Sequence, residues 1–224
     1  MNIYAFYEPI DGYDHDDQKS LINIWKKSWN YYGWNPIVYG IKECQSCEGY
    51  DEYYKLCESY PTINPKQYEM LCFLRWLYMS EIGGWYADLD MINYGFVPFD
   101  CNDKIVTTST VLNCSSIHMP KNKYKDLISI IKSLRSDGNT FWDFYDINIK
   151  VPHLSDTYVL SEYSKNIDIG LNIEVEYPNH LYDVSLIVHY PFAMYSPLYS
   201  NKNIIGKTRS QIILEDPRTK IFMS

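Results

Sequence analysis

Two carboxylates, Asp88 and Asp90, close the run Ile82-Gly83-Gly84-Trp85-Tyr86-Ala87-Asp88-Leu89-Asp90. Side chains two apart on an extended strand share a face, so this spacing predicts that both acids point at one hard cation. Oxygen ligands of this kind suit Mg2+ or Mn2+. A strand entered through two glycines and ending in such a pair is the outline of a metal and diphosphate site.

The preceding segment has to position those acids. Asn64 reads as an N-cap, Pro65 as the first helical residue and Gln67 as the reciprocal capping partner, so a helix is predicted to start near Lys66. Met70, Leu71, Leu74, Leu77 and Tyr78 recur at helical spacing and form one apolar stripe. Gly83 or Gly84 can take the left-handed conformation that ends a helix, and Trp85 to Ala87 then reads as a buried strand.

Arg75, Gly83, Gly84, Trp85, Tyr86, Asp88 and Asp90 resemble the sugar-binding region with a DXD motif in family 32 glycosyltransferases, the related capsular and lipid-sugar transferases, and the glucosylating clostridial toxins. In those proteins an arginine-bearing helix runs into Gly-Gly-aromatic-aromatic and then Asp-X-Asp. The resemblance is strong over about residues 64 to 100 and elsewhere rests on the order of elements. It implies a GT-A fold and transfer of a sugar from a nucleoside diphosphate sugar, a UDP-sugar first of all, to a hydroxyl of a glycan, lipid or protein acceptor. Mn2+ or Mg2+ would be the cofactor, held by Asp90, with Asp88 binding it directly or through water and ribose. Arg75 would contact the departing phosphate or the sugar, and Gly84, Trp85 and Tyr86 would line the donor site, Trp85 and Tyr86 partly through strand packing. In several transferases of that architecture a C-terminal histidine completes the metal sphere, and His189, after Ile187-Val188, resembles it by position. One departure is Cys72, which stands where the family usually has an aspartate, three residues before the arginine on the same helical flank.

Composition agrees with a small enzyme. A chain of 224 residues, 46% hydrophobic, can bury a substantial core and is most simply a single domain. The 28 acidic and 20 basic residues give a net charge of -8, which argues against nucleic acid and anionic membranes as main partners. No apolar run approaches a bilayer-spanning length and Met1 to Tyr7 reads directly as a strand, so the expectation is a cytoplasmic protein with no transmembrane segment. In that setting the six cysteines, Cys44, Cys47, Cys57, Cys72, Cys101 and Cys114, are expected as free thiols. Cys44-Gln45-Ser46-Cys47 has the spacing of a zinc or redox pair but lacks a second pair nearby.

The remaining elements alternate as in an open α/β sheet flanked by helices, Rossmann-like in character. After the strand Asn2 to Tyr7 comes a helix with Leu21, Trp25, Trp29 and Tyr32 on one side, stopped by Gly33 and Pro36. Strands are then expected at Pro36 to Ile41, Lys104 to Ser109, Val111 to Met119 and Asp183 to Tyr190. Helices are expected at Tyr50 to Ser59, Tyr124 to Leu134, Asp156 to Lys165 and Asn203 to Glu215. Residues up to about 110 would form the donor-binding part and 111 to 224 the acceptor side. Asp156, capped by Ser155, is a candidate general base or acceptor contact. Tyr7 or Glu8, at the first strand's end, could line the base pocket, and Asn139 to Val151 could shape an acceptor pocket. His15, His118, His153 and His180 are read as loop residues without a role. Two other functions use the same features: a noncatalytic nucleotide-sugar or glycan binder, and a nucleotidyltransferase.

Overall fold

In the strand β1, Asn2–Phe6, the side chains alternate: Ile3 and Ala5 are fully buried on one face, while Tyr4 and Phe6 pack into a different cluster on the other. A strand buried on both sides needs helices on both faces of its sheet. The computed structural model, which describes residues 1–10, 14–107, 116–134, 153–172, 186–190 and 207–224, has that layering.

The elements run β1, α1 (His15–Tyr31), β2 (Asn35–Tyr39), α2 (Ile41–Gln45), α3 (Tyr50–Ser59), α4 (Lys66–Ile82), β3 (Gly84–Ala87) and β4 (Met91–Asn93). They continue with β5 (Val106–Thr107), β6 (Ser116–Met119), α5 (Lys121–Ser133), α6 (Asp156–Ser164), β7 (Leu171–Asn172) and β8 (Ile187–His189). The C-terminal part holds α7 (Arg209–Glu215), a 3-10 turn Pro217–Thr219 and α8 (Lys220–Met223). Among the described residues the main sheet is six-stranded, in the order β2-β1-β3-β6-β5-β7, and β4 and β8 pair separately. β1 runs parallel to both β2 and β3, whereas β6 is antiparallel to β3 and β5. The chain is therefore α/β, with a mixed sheet flanked by helices.

One core holds α2 to α6 against the Tyr4, Tyr86 and Ile117 face; the other holds α1, α7, α8, β4 and β8 against the Ile3, Trp85 and Ala87 face. Trp85 and Tyr86, adjacent in sequence, thus belong to different cores. Trp85 packs among Trp34, Phe96, Phe99 and His118. Tyr86 packs against Trp76 of α4.

The sequence reading needs several corrections. α4 starts at Lys66 as predicted, but Pro65 is the capping residue and no side chain caps it. Asn64 instead donates to the buried Glu69 at 2.7 Å. β2 stops at Tyr39 because Gly40 and Ile41 turn into α2, whose first amides are taken by Glu43 and Glu8. His118 lies in β6 rather than in a loop and His15 opens α1, whereas His153 is in a loop as expected, buried beside Glu69. α7 begins at Arg209, on a reciprocal Thr208–Gln211 cap. Gly83 does end α4, at φ 70°. The five cysteines within the described residues are free thiols. The expectations for Asn139 to Val151, His180 and Cys114 lie outside the described residues.

Candidate functional site

β1 is the point at which the sheet changes direction. The chain steps from β1 to β2 on one side, then crosses to β3 on the other. In open α/β sheets, ligands bind beyond the carboxyl ends of the strands at such a switch point. The residues there are Tyr7 and Glu8 after β1, Gly40 after β2 and Asp88 after β3.

Asp88, Leu89 and Asp90 do not continue the strand. The Met91 amide donates to the Asp88 carbonyl at 2.9 Å, closing a tight turn that sends the chain into β4. The predicted sharing of one strand face is therefore corrected: the two acids project from a turn and take different partners. Asp88 faces inward. Its Oδ1 accepts from the Arg75 guanidinium at 2.8 Å and from the Tyr86 hydroxyl at 2.8 Å. Asp90 Oδ2 accepts from Arg209 of α7 at 3.0 Å, and Asp90 Oδ1 lies 3.5 Å from His189 Nε2. β8 brings His189 there because it pairs with β4, with His189 opposite Met91 and the Tyr190 amide on the Asp90 carbonyl.

Arg75 is the centre of the inner half. Its Nε donates to the Cys72 carbonyl at 3.0 Å and to Asp156 Oδ2 at 3.1 Å; a second nitrogen also reaches Asp156, while a third reaches the Tyr86 hydroxyl at 3.1 Å. The guanidinium lies over the Trp76 ring, 4.8 Å from its centroid. Trp76 adds an Nε1 bond to Asp156 Oδ2 at 2.8 Å. Asp156 is only 3% exposed and accepts three donors on one oxygen. The candidate base is thus a buried counter-ion of Arg75; with no open face, it fits a positioning role rather than proton abstraction from an acceptor.

Charge separates the acids. Burial raises Asp88, Arg75 draws it back, and Asp90 pushes it up again, leaving the carboxyl at about 6. Burial also opposes charge on Asp90, but His189 and Arg209 outweigh it and hold this carboxyl below the usual range. His189 is lifted above its ordinary value, since the Asp90 carboxylate more than offsets the imidazole's burial. These three groups act on one another electrostatically, so they share one small volume.

The structure brings together Arg75, Tyr86, Asp88, Asp90 and His189, with half-buried Tyr7 at the same sheet edge. It does not bring Gly84 or Trp85. Gly84 starts β3, about four residues or ~13 Å from the acid turn, and Trp85 is core packing. Among the described residues no three His, Cys, Asp or Glu side chains form a ready-made metal cluster. A fit is nevertheless present: Asp90 Oδ1 is buried with no hydrogen-bond partner among the described residues, beside an imidazole nitrogen and a second carboxylate. The two carboxylates suit Mn2+ or Mg2+, and the imidazole beside them fits Mn2+ better than the harder Mg2+.

Arg209 and Trp76 are the partners that sequence reasoning missed. The Thr208-x-x-Gln211 cap could have fixed where α7 starts and hence Arg209's place in its first turn. Nothing in spacing ties it to Asp90, 119 residues away. Among the described residues no helix is long and apolar enough to cross a membrane. No family model and no curated protein matches this chain.

Proposed function

We propose that this chain is a divalent-metal-dependent glycosyltransferase of GT-A type that moves a sugar from a nucleoside diphosphate sugar, a UDP-sugar first of all, to a hydroxyl acceptor. The observation that carries the reading is the acid turn: Asp88 and Asp90 stand at the switch point of the parallel strands, with His189 delivered beside them by β8. Asp90 and His189 would hold the cation, with Asp88 as direct or water-bridged ligand. When bound, Mn2+ or Mg2+ neutralises the charge that develops on a diphosphate leaving group.

The protein's own residues do the rest. Arg75 and Tyr86 fix Asp88, and Asp156 with Trp76 fixes Arg75, so the inner carboxylate is held in place before any ligand arrives. Tyr7 lies where the base of the nucleotide would rest. Partial burial of both carboxylates strengthens each charge interaction.

Incubation with labelled nucleotide sugars and Mn2+ tests this. Hydrolysis or acceptor labelling with release of a nucleoside diphosphate is expected, and Asp90→Ala should lower turnover at least ~100-fold with an unchanged melting curve. Full activity in the variant would refute the assignment. A noncatalytic binder is the second reading, and Cys72 favours it, because a cysteine, whose backbone carbonyl accepts from Arg75, stands where the resemblance calls for a carboxylate. Tight binding without turnover across the panel would support it. Release of pyrophosphate would identify a nucleotidyltransferase instead.

A further inference from the structure

One flank of α4 runs on past the edge of the sheet. Only Gly83 separates α4 from β3, so the helix lies back along the strand it leads into, and Arg75 comes to rest beside Asp88, just beyond the strand's carboxyl end. Positions earlier than 75 therefore overhang the ligand side of the sheet. At about 3.6 residues per turn, Tyr68 is ~20° around the helix from Arg75 and ~10 Å farther out, with Cys72 between them. The flank that turns Arg75 toward Asp88 thus lines, at Tyr68, the crevice beyond the strand ends.

Exposure follows that course. Met79 and Arg75 are buried, Cys72 is half-buried and Tyr68 is 40% exposed. Although the Tyr68 ring is open to solvent, its hydroxyl is pushed above the ordinary phenol value, first by Cys72 and then by burial, while Arg75 draws it back. Asp156 and Asp88 act on it as well, so the phenol tip leans toward the inner acid. Positions 68 and 72 offer an aromatic face and no carboxylate or ammonium.

Building on the metal and diphosphate reading above, we propose that Tyr68 is the platform on which the transferred sugar stacks, and that the donor is a pyranosyl nucleotide. A diphosphate at the acid turn, with its base at Tyr7, leaves the sugar on the side of Asp88 and Arg75, which Tyr68 overhangs. A pyranose carries its hydroxyls around the rim and presents C–H groups on its face. That face packs on an aromatic ring while the rim hydroxyls stay wet, and the phenol keeps its own polar tip bonded or solvated.

The test titrates the full chain, at saturating Mn2+, with UDP and separately with UDP-glucose, UDP-galactose and UDP-N-acetylglucosamine, for wild type, Tyr68→Ala and Tyr68→Phe. Calorimetry reads the affinities. Tyr68→Ala is expected to weaken the best-bound UDP-sugar on the order of tenfold and UDP less than ~2-fold, whereas Tyr68→Phe, which keeps the ring, stays near wild type for both. A merely structural role for Tyr68 would weaken UDP and UDP-sugar alike. With UDP bound by wild type, four results overturn the stacking subsite and leave the diphosphate site standing: equal losses for the two ligands, no loss for either, a loss in Tyr68→Phe as large as in Tyr68→Ala, or no UDP-sugar bound at all. Failure of wild type to bind UDP overturns the functional reading and this proposal with it.

Discussion

The two acids of one turn are held in opposite ways. Asp88 is tied to Arg75, which rises from the middle of the 17-residue α4 and is itself gripped by Asp156, Trp76, Tyr86 and a backbone carbonyl. Asp90 is tied to Arg209, on the seven-residue α7, and to the imidazole of His189. The inner half is a closed network whose members lean on one another, and such networks rigidify a site. The outer half is a single ion pair with an imidazole beside it, and its side chains are 13–14% exposed against 22% for Asp88.

Arg75→Ala is the strongest way to break that contrast. It leaves Asp156 buried with its charge uncompensated, so unfolding free energy should fall by about 3–5 kcal/mol. Thermal and denaturant melts measure this, and a loss below ~1 kcal/mol would show that the inner network is not integral to the fold. An intermediate effect is expected from Asp216→Asn, which disturbs the anchor under α7. Burial opposes the Asp216 charge, but its bonds to Arg218 prevail and hold its carboxyl below the ordinary value. A carboxyl depressed by folding contributes stability above its unfolded value near 3.8, and that contribution disappears as pH falls through the lower folded value. Wild type should therefore exceed the variant by about 1–2 kcal/mol at neutral pH, and the two should converge in strong acid. The smallest change belongs to Arg209→Gln, which should cost ~1 kcal/mol, because His189 stays 3.5 Å from Asp90 and the glutamine amide can still donate to the carboxylate. If it destabilised the fold as much as Arg75→Ala does, the outer half would be structural and the contrast would be lost.

Much of the scaffold was legible because its periodicity is strong. Leu21, Trp25 and Trp29 on α1, and Leu127, Ile128 and Ile131 on α5, face the cores as their spacing requires. Gly83 ends α4 where expected. The acid turn was not legible. Ala87, Leu89 and Met91 are all buried and alternate with Asp88 and Asp90, which is the pattern of a strand, and no glycine or proline marks the reversal. The α2 helix was missed for a related reason: it is five residues long, and one of its capping groups comes from Glu8, in the loop after β1. At the site, residue types could be read locally but pairings could not. Asp156 was placed at the start of its helix correctly, yet its partner Arg75 lies 81 residues earlier, and no local pattern encodes that contact. Burial under an arginine and an indole favours a positioning role for it over that of a base.

The most direct measurement is the anomalous scattering of Mn2+ in crystals of this chain grown with Mn2+ and UDP. The expected result is a peak about 2.0–2.2 Å from an Asp90 oxygen, near His189 Nε2, with the UDP diphosphate completing the sphere. A peak remote from residues 88 to 90, or UDP seated away from the β1 and β3 ends, would contradict the assignment of this turn as the donor site.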